Sequence, residues 1–225
     1  MSYCRTSSFC CIILLVLSTI ACRTIDKAAP DPTRFASRIA DIQSTSFDKS
    51  RERIVFTGSS SILFWKSLSQ YYPNHQVINA GFGGSQMSDL SYYLNETVLQ
   101  FSPSKVFIYE GDNDIAAERP LNMIMKHAND VVKTIEKQFP SSQIILIAAK
   151  PSIARWNLKE EYLLVNQALK EFANKKSNRH YADVWSIMLD ENGEVLKDIF
   201  IEDGLHMNKK GYDLWDRVIR PFVEM

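Results

Sequence analysis

Beyond residue 22 the sequence contains no cysteine, because all four cysteines of the 225-residue chain lie within its first 22 residues. This absence excludes disulfide bonds, cysteine-ligated zinc and a cysteine nucleophile from the rest of the chain. The sequence also lacks an excess of charge of either sign, since 26 Lys and Arg residues balance 26 Asp and Glu residues. No basic run is interleaved with aromatic residues, so we expect no nucleic-acid partner.

The cysteine-containing N-terminus has the composition of an export signal. Arg5 precedes the apolar run FCCIILLVL, which is too short for a comfortable membrane-spanning helix, and the small residues of STIAC follow. We therefore predict a signal peptide over residues 1–22 and secretion across the inner membrane. The run TIAC resembles a bacterial lipobox, with Thr in place of the usual Leu, which would make Cys22 a lipidated membrane anchor. Plain signal cleavage and an uncleaved anchor are the alternatives.

The chain after the signal divides into a tether and one domain. Residues 23–32 are polar and contain proline, which is typical of a linker, and residues 33–225 are long enough for a single domain with a buried core. On this interpretation the protein is periplasmic or a membrane-anchored lipoprotein. The sequence leaves the oligomeric state open.

Five short, almost wholly apolar runs alternate with helix-length segments in this domain. Such runs indicate strands buried on both faces, and their alternation with helices indicates a parallel sheet. The predicted fold is therefore a three-layer, flavodoxin-like α/β/α sandwich with about five parallel strands. The predicted strands are 53–57, 76–79, 105–109, 143–149 and 180–184, and the predicted helices are 33–47, 60–69, 86–100, 119–139, 156–175 and 208–223, the last with Asn208 as its N-cap.

The segments that follow the first two predicted strands contain groups suited to acyl chemistry. Ligands of open parallel sheets bind beyond the carboxyl ends of the strands. The first strand ends in TGSSS, residues 57–61, where a serine lies at the start of the next helix. The serines could also act only as helix caps. The second strand ends in NAGFGGS, residues 79–85, whose glycines expose backbone N–H groups that can stabilise an anion, or form a flexible turn.

Two further segments add an amide donor and an acid–base pair. Asn113, in EGDNDI after the third strand, can donate to a developing oxyanion, and its acidic neighbours are typical of turns. Near the C-terminus, Asp203 and His206 stand three residues apart, so both side chains can lie on one side of a turn. A serine, a histidine base and an acid that orients the base are the parts of a hydrolytic triad.

These four segments together resemble the blocks of the SGNH hydrolases, also called the GDSL esterase/lipase family. The resemblance implies that Ser60 is the nucleophile and that Asp203 and His206 complete the triad. It also implies an oxyanion hole formed by the backbone of Ser60, the backbone of Gly84 and the side chain of Asn113.

The first block reads Gly-Ser-Ser-Ser instead of Gly-Asp-Ser, which looks like a bacterial subgroup of the family. The Gly-x-Ser-x-Gly elbow of the α/β-hydrolases is absent from the sequence.

The resemblance implies a serine esterase that needs no metal or organic cofactor. We expect it to hydrolyse small carboxylic esters, with short acyl or acetyl groups, through an acyl-serine intermediate. The expected substrate is an acylated carbohydrate or a lysophospholipid. Candidate substrate-binding residues are Trp65, Phe82, Arg155 and Trp156.

The sequence is compatible with two other functions. Asp112, Asp114, Asp203 and His206 could form the metal site of a metal-dependent phosphoesterase, although oxygen-rich metal sites usually draw on more carboxylates. The chain could also be a non-catalytic, surface-anchored binding module on the same fold, because one fold hosts many functions.

Overall fold

The computed structural model describes Met1 and residues 30–225. The predicted signal peptide, the lipidation site Cys22 and most of the predicted tether therefore lie outside the described residues. Among the residues that are described, no helix combines the length and the apolar character that crossing a bilayer requires.

A five-stranded parallel sheet forms the centre of the fold, in the order β2-β1-β3-β4-β5. All residues of β3 are buried, so both faces of the sheet are covered. The predicted three-layer α/β/α sandwich is thereby confirmed. The strands are β1, Arg53–Gly58; β2, Gln76–Gly81; β3, Lys105–Tyr109; β4, Gln143–Ile147; and β5, Arg179–Ala182.

The helices follow the predicted segments but several are shorter. They are α1, Ala36–Gln43; α2, Ser60–Leu63; α3, Leu68–Tyr71; α4, Met87–Tyr92; α5, Leu94–Thr97; α6, Asp112–Ala116; α7, Leu121–Gln138; α8, Lys159–Ala173; and α9, Lys209–Glu224. Short 3-10 helices span Pro32–Phe35, Leu99–Phe101, Trp156–Leu158 and Ser186–Met188. The predicted N-cap of α9 is confirmed, because the Asn208 side chain accepts hydrogen bonds from the backbone of Lys210 and Gly211.

The predicted helix over 60–69 is in fact two single-turn helices. The reason is tertiary: Nδ2 of Asn79, on the edge strand β2, donates to the carbonyl of Ile62 at 2.7 Å and to that of Trp65 at 3.3 Å. These bonds hold the chain between α2 and α3 against the sheet. The helical periodicity of residues 60–69 cannot reveal a hydrogen bond from a side chain on a different strand.

Aromatic side chains fill the core around β1 and β3. Phe56 and Phe107 are register partners on these strands, and their rings stack 4.3 Å apart. Trp65 contacts Phe56 edge to face and packs against Trp215 of α9. Both tryptophans are fully buried. Burial of this much aromatic surface stabilises the contact between α9 and the sheet.

Two glycines allow the strand ends and α2 to approach closely. A Cβ atom on Gly58, whose φ is +129°, would lie 2.0 Å from the carbonyl oxygen of Tyr109 on β3. A Cβ atom on Gly81 would lie 2.3 Å from the backbone nitrogen of Leu63 in α2. Both contacts are shorter than van der Waals distance, so only glycine fits at these positions. This packing places Ser60, the first residue of α2, directly beyond the carboxyl end of β1.

Candidate active site

Ser60, His206 and Asp203 form a continuous hydrogen-bonded chain, although Ser60 is 146 residues from His206. The distance from Ser60 Oγ to His206 Nε2 is 2.9 Å, and that from His206 Nδ1 to Asp203 Oδ2 is 2.5 Å. Both distances are within hydrogen-bond range. The geometry is therefore that of a nucleophile, a base and an acid that orients the base.

The loop that contains Asp203 holds its carboxylate in the charged form. Oδ1 of Asp203 accepts hydrogen bonds from the backbone nitrogens of Leu205 and His206, at 2.8 and 2.9 Å. Partial desolvation raises the pKa of Asp203, but the hydrogen bonds from His206 and Leu205 outweigh it and lower the pKa to about 2. An ionised carboxylate can only accept, so Nδ1 of a neutral His206 donates to Asp203, and Nε2 is left to accept the hydroxyl proton of Ser60.

The predicted oxyanion donors lie around the same opening. Ser60, Gly84 and Asn113 all line one cleft. Gly84 has a φ of +83° and no neighbour within 4 Å of the position that its Cβ would occupy, so its backbone is open to the cleft. Nδ2 of Asn113 donates to the carbonyl of Ser85 at 2.9 Å, which fixes one of its two N–H bonds and leaves the other for a ligand.

Arg155 fixes the orientation of the Asn113 side chain. Its Nη2 donates to Oδ1 of Asn113 at 3.1 Å, and its Nη1 donates to Oδ1 of Asp112 at 2.6 Å and to the carbonyl of Asp112 at 3.0 Å. Because a guanidinium has donors only, the atom that faces it must be the amide oxygen. The amide nitrogen of Asn113 is therefore directed away from Arg155, as an oxyanion donor requires.

Asp112 carries the charge that holds Arg155 in place. Although burial raises its pKa, Lys150 and Arg155 outweigh that effect and lower the pKa of Asp112 below its usual value. Its side chain also accepts hydrogen bonds from the hydroxyls of Tyr109, at 2.9 Å, and Tyr162. Lys150 itself is buried, donates to the carbonyl of Leu205 at 2.7 Å, and so links this network to the loop that contains His206.

Two more buried carboxyls support the glycine loop. Glu110 is 1% exposed, and its Oε1 accepts a hydrogen bond from Ser85 Oγ at 2.5 Å. Burial, together with the nearby charge of Asp114, raises the pKa of Glu110 well above its usual value. Asp114 accepts from the backbone nitrogen of Met87 at 3.0 Å, and burial raises its pKa to about 6.

The cleft has a volume of about 620 Å³ and joins the triad to the N-terminal helix. Leu63, Phe64 and Leu205 line the part near Ser60 and His206, and the ring of Phe64 lies 4.8 Å from that of His206. Polar side chains upstream of β1, contributed by residues 34–41, line the other part. The cleft is therefore apolar beside the nucleophile, and the wall formed by residues 34–41 is mainly polar, with Phe35 as its apolar member.

A family comparison decides the assignment. Residues 56–214 match the model of the GDSL-like lipase/acylhydrolase family. The chain belongs to this family. The resemblance inferred from the four sequence blocks is thereby confirmed, and the protein is an ester-bond hydrolase. No curated protein sequence matches the chain.

Three solved structures of other proteins share the fold. A Streptococcus pneumonia protein described as a candidate platelet activating factor is 20% identical over 85% of this chain and 92% of its own, with a TM-score of 0.76. A GDSL-like lipase from Bacteroides thetaiotaomicron is 18% identical over 86% and 97%, with a TM-score of 0.71. A catalytic mutant of an acetylxylan esterase from Geobacillus stearothermophilus is 16% identical over 75% and 93%, with a TM-score of 0.62.

The structure corrects three of the four predicted substrate-binding residues of this GDSL-like hydrolase. Trp65 and Phe82 are fully buried in the core, where they cannot contact a ligand. Trp156 stacks on Trp185 and donates its indole N–H to Glu194, away from the cleft. Arg155 does line the cleft, but its guanidinium is bonded to Asp112 and Asn113. Aromatic residues near a strand end are used here mainly to fill the core.

Asp112 and Asp114 do not join Asp203 and His206 in one site. Asp112 is bonded to Arg155 and two tyrosines, and Asp114 is bonded to the backbone at the start of α4. Within residues 30–225, no group of three or more His, Cys, Asp and Glu side chains is placed to share a metal ion. The geometry therefore gives no support to the phosphoesterase alternative.

Proposed function

We propose that this GDSL-like hydrolase is a serine esterase that cleaves short acyl esters, acetyl esters above all, through an acyl-serine intermediate. The observation that carries the proposal is the 2.9 Å hydrogen bond between Ser60 Oγ and His206 Nε2, backed by the charged Asp203. A serine hydroxyl becomes a competent nucleophile when a positioned base removes its proton.

The reaction begins with attack of Ser60 Oγ on the ester carbonyl carbon, while His206 Nε2 takes the hydroxyl proton. The backbone nitrogens of Ser60 and Gly84 and the free N–H of Asn113 donate to the carbonyl oxygen, which carries the negative charge of the tetrahedral intermediate. Loss of one such donor typically costs roughly 3–4 kcal/mol in the barrier.

Collapse of the intermediate breaks the bond to the alcohol oxygen, which takes the proton back from His206. A water molecule then attacks the acyl carbon while His206 takes one of its protons. The bond from that carbon to Ser60 Oγ breaks, His206 returns the proton to Oγ, and the carboxylic acid leaves. Asp203 stays charged throughout and holds Nδ1–H of His206.

The proposed substrate is an acylated carbohydrate, with a lysophospholipid as the second candidate. The cleft has apolar side chains beside Ser60 and polar side chains from residues 34–41, which suits an acyl group joined to a polar alcohol. The resemblance in fold to an acetylxylan esterase is consistent with this choice. We further propose that residues 1–22 export the enzyme and that lipidated Cys22 anchors it at the membrane.

The test is a Ser60→Ala variant assayed on 4-nitrophenyl acetate, together with covalent labelling of both proteins by a fluorophosphonate. We expect the variant to lose at least a thousandfold in kcat and to remain unlabelled. A wild-type enzyme that hydrolyses the ester and yet resists the label would contradict the acyl-serine mechanism, as would an active Ser60→Ala variant. Measurements with and without a metal chelator serve as the control for metal-dependent chemistry.

A further inference from the structure

One wall of the cleft comes from a segment upstream of the part that matches the family. The family match begins at residue 56, whereas α1 and the turn before it lie between Pro32 and Gln43. Arg34, Ser37, Arg38 and Asp41 of this segment line the same cleft as Ser60 and His206. Residues three and four apart share one face of a helix, so a single polar face of α1 meets the active site.

Packing holds this segment rigidly against the hydrolase core. Ile39 and Ile42 are buried, and the ring of Phe35 meets that of Phe82 edge to face at 5.1 Å. Nε of Arg38 donates to the carbonyl of Gly81 at 2.9 Å, and Nη2 donates to that of Asn79 at 3.2 Å. These bonds also satisfy carbonyls on the edge strand β2. The polar face of α1 is therefore preformed before any ligand binds.

The groups on this face can both donate and accept hydrogen bonds. Ser37 and Asp41 are exposed, and within the described part of the chain their side chains make no hydrogen bond to protein. Arg38 is half-buried and uses only two of its N–H donors on the backbone. Arg34 is ion-paired with Asp89, and the positive charge of Arg38 is offset by the negative charge of Asp41, so this wall does not favour an anion. Sugar hydroxyls can bind to all three groups on this face, which are the hydroxyl of Ser37, the carboxylate of Asp41 and the guanidinium of Arg38.

We propose that Ser37, Arg38 and Asp41 form a carbohydrate subsite that binds the alcohol part of the ester. This inference rests on the proposed esterase function and names the substrate class that the cleft selects. The subsite acts on binding alone, because among the described residues none of its three side chains is hydrogen-bonded to the triad. Asp41 accepts hydrogen bonds from one or two sugar hydroxyls, and the free donors of Arg38 bind a neighbouring hydroxyl.

The test compares wild-type enzyme with Asp41→Ala and Asp41→Asn on two substrates, 4-nitrophenyl acetate and acetylated xylo-oligosaccharides. Asp41→Ala is expected to raise KM for the acetylated sugar about tenfold, as expected for one lost hydrogen bond to a charged group. Asp41→Asn keeps an acceptor oxygen, so its KM for the acetylated sugar should lie between those of wild type and Asp41→Ala. Because 4-nitrophenyl acetate has no hydroxyl group for Asp41 to bind, both variants should change its KM by a smaller factor than they change the KM for the acetylated sugar.

Gln43→Ala is the matched control, because Gln43 is exposed on the same helix but does not line the cleft. Equal KM values for the acetylated sugar in wild type and Asp41→Ala would overturn the subsite. The subsite would also be overturned if the wild-type enzyme hydrolysed 4-nitrophenyl acetate but no acetylated sugar. The same holds if Asp41→Ala lost affinity for a lysophospholipid and kept its affinity for the acetylated sugar. Failure of the esterase function itself would be distinct, since it would appear as lost activity on both substrates.

Discussion

Glu110 makes the stability of this enzyme depend on pH in a way that one substitution can remove. The carboxyl is buried at the carboxyl end of β3, and Oε2 has no hydrogen-bond partner among the described residues. Because burial and the nearby Asp114 raise its pKa well above 4.5, the folded protein keeps Glu110 protonated at pH values where the unfolded chain has lost that proton. Folding then requires proton uptake, so the free energy of unfolding falls as pH rises above 4.5.

The magnitude follows from the linkage between proton binding and folding. In the interval between 4.5 and the raised pKa, the loss is about 1.4 kcal/mol for each pH unit. A Glu110→Gln variant keeps the volume of the side chain and a hydrogen bond with Ser85 but cannot ionise. The variant should therefore become progressively more stable than wild type as pH rises through this interval, with little difference at pH 4.5.

Urea unfolding at pH 5, 6, 7 and 8, followed by tryptophan fluorescence, measures this difference directly. Glu191→Gln makes the same substitution at an exposed loop position and controls for the loss of one carboxylate from the unfolded chain. Parallel curves of unfolding free energy against pH for wild type and Glu110→Gln would refute the reasoning, because they would mean that Glu110 ionises equally easily in the folded and unfolded states.

Two further predictions concern the oxyanion donor and the strand ends. Arg155→Met should lower kcat on 4-nitrophenyl acetate about tenfold or more with little change in KM, because the Asn113 amide loses its fixed orientation. We expect partial recovery of kcat in Arg155→Lys. An unchanged kcat in Arg155→Met would contradict the role of Arg155 in orienting Asn113. Gly58→Ala should destabilise the fold by about 3 kcal/mol or more in urea unfolding, because its Cβ would lie 2.0 Å from the carbonyl oxygen of Tyr109. Gly193 has a φ of +77° but open space around its Cβ position, so Gly193→Ala should lower the free energy of unfolding by only about 1 kcal/mol. Equal losses of stability in Gly58→Ala and Gly193→Ala would argue against the steric clash at Gly58.

The strands and the triad could be predicted because their signals are local. A fully buried parallel strand must be apolar along its whole length, and the carboxyl ends of such strands meet at one edge of the sheet. Asp203 and His206 lie in one turn, so their spacing alone brings them together. The structure bears out the strand positions to within two residues and shows the expected contact from His206 to Ser60.

The functions of the aromatic and basic residues could not be predicted, because they depend on which element packs beside them. Trp65 and Phe82 have the spacing of residues beside a cleft, and only the packing of α9 and of the 3-10 helix before α1 shows that both are buried. Arg155 follows the fourth strand in the sequence, so a cation close to the active site can be predicted. Its hydrogen bond to Asn113, however, depends on the fold.

By itself, the sequence determined the order of strands and helices, the four segments at the carboxyl ends and the family, because each is encoded within a few neighbouring residues. The tertiary structure decided the position of α1. Its polar face is visible as a helical repeat over 34–41, but the contact of Arg38 with the edge strand β2 is what brings that face to the cleft. Hydrogen bonds and packing between elements distant in the chain determine which surfaces surround Ser60, and they therefore decide the shape of the site.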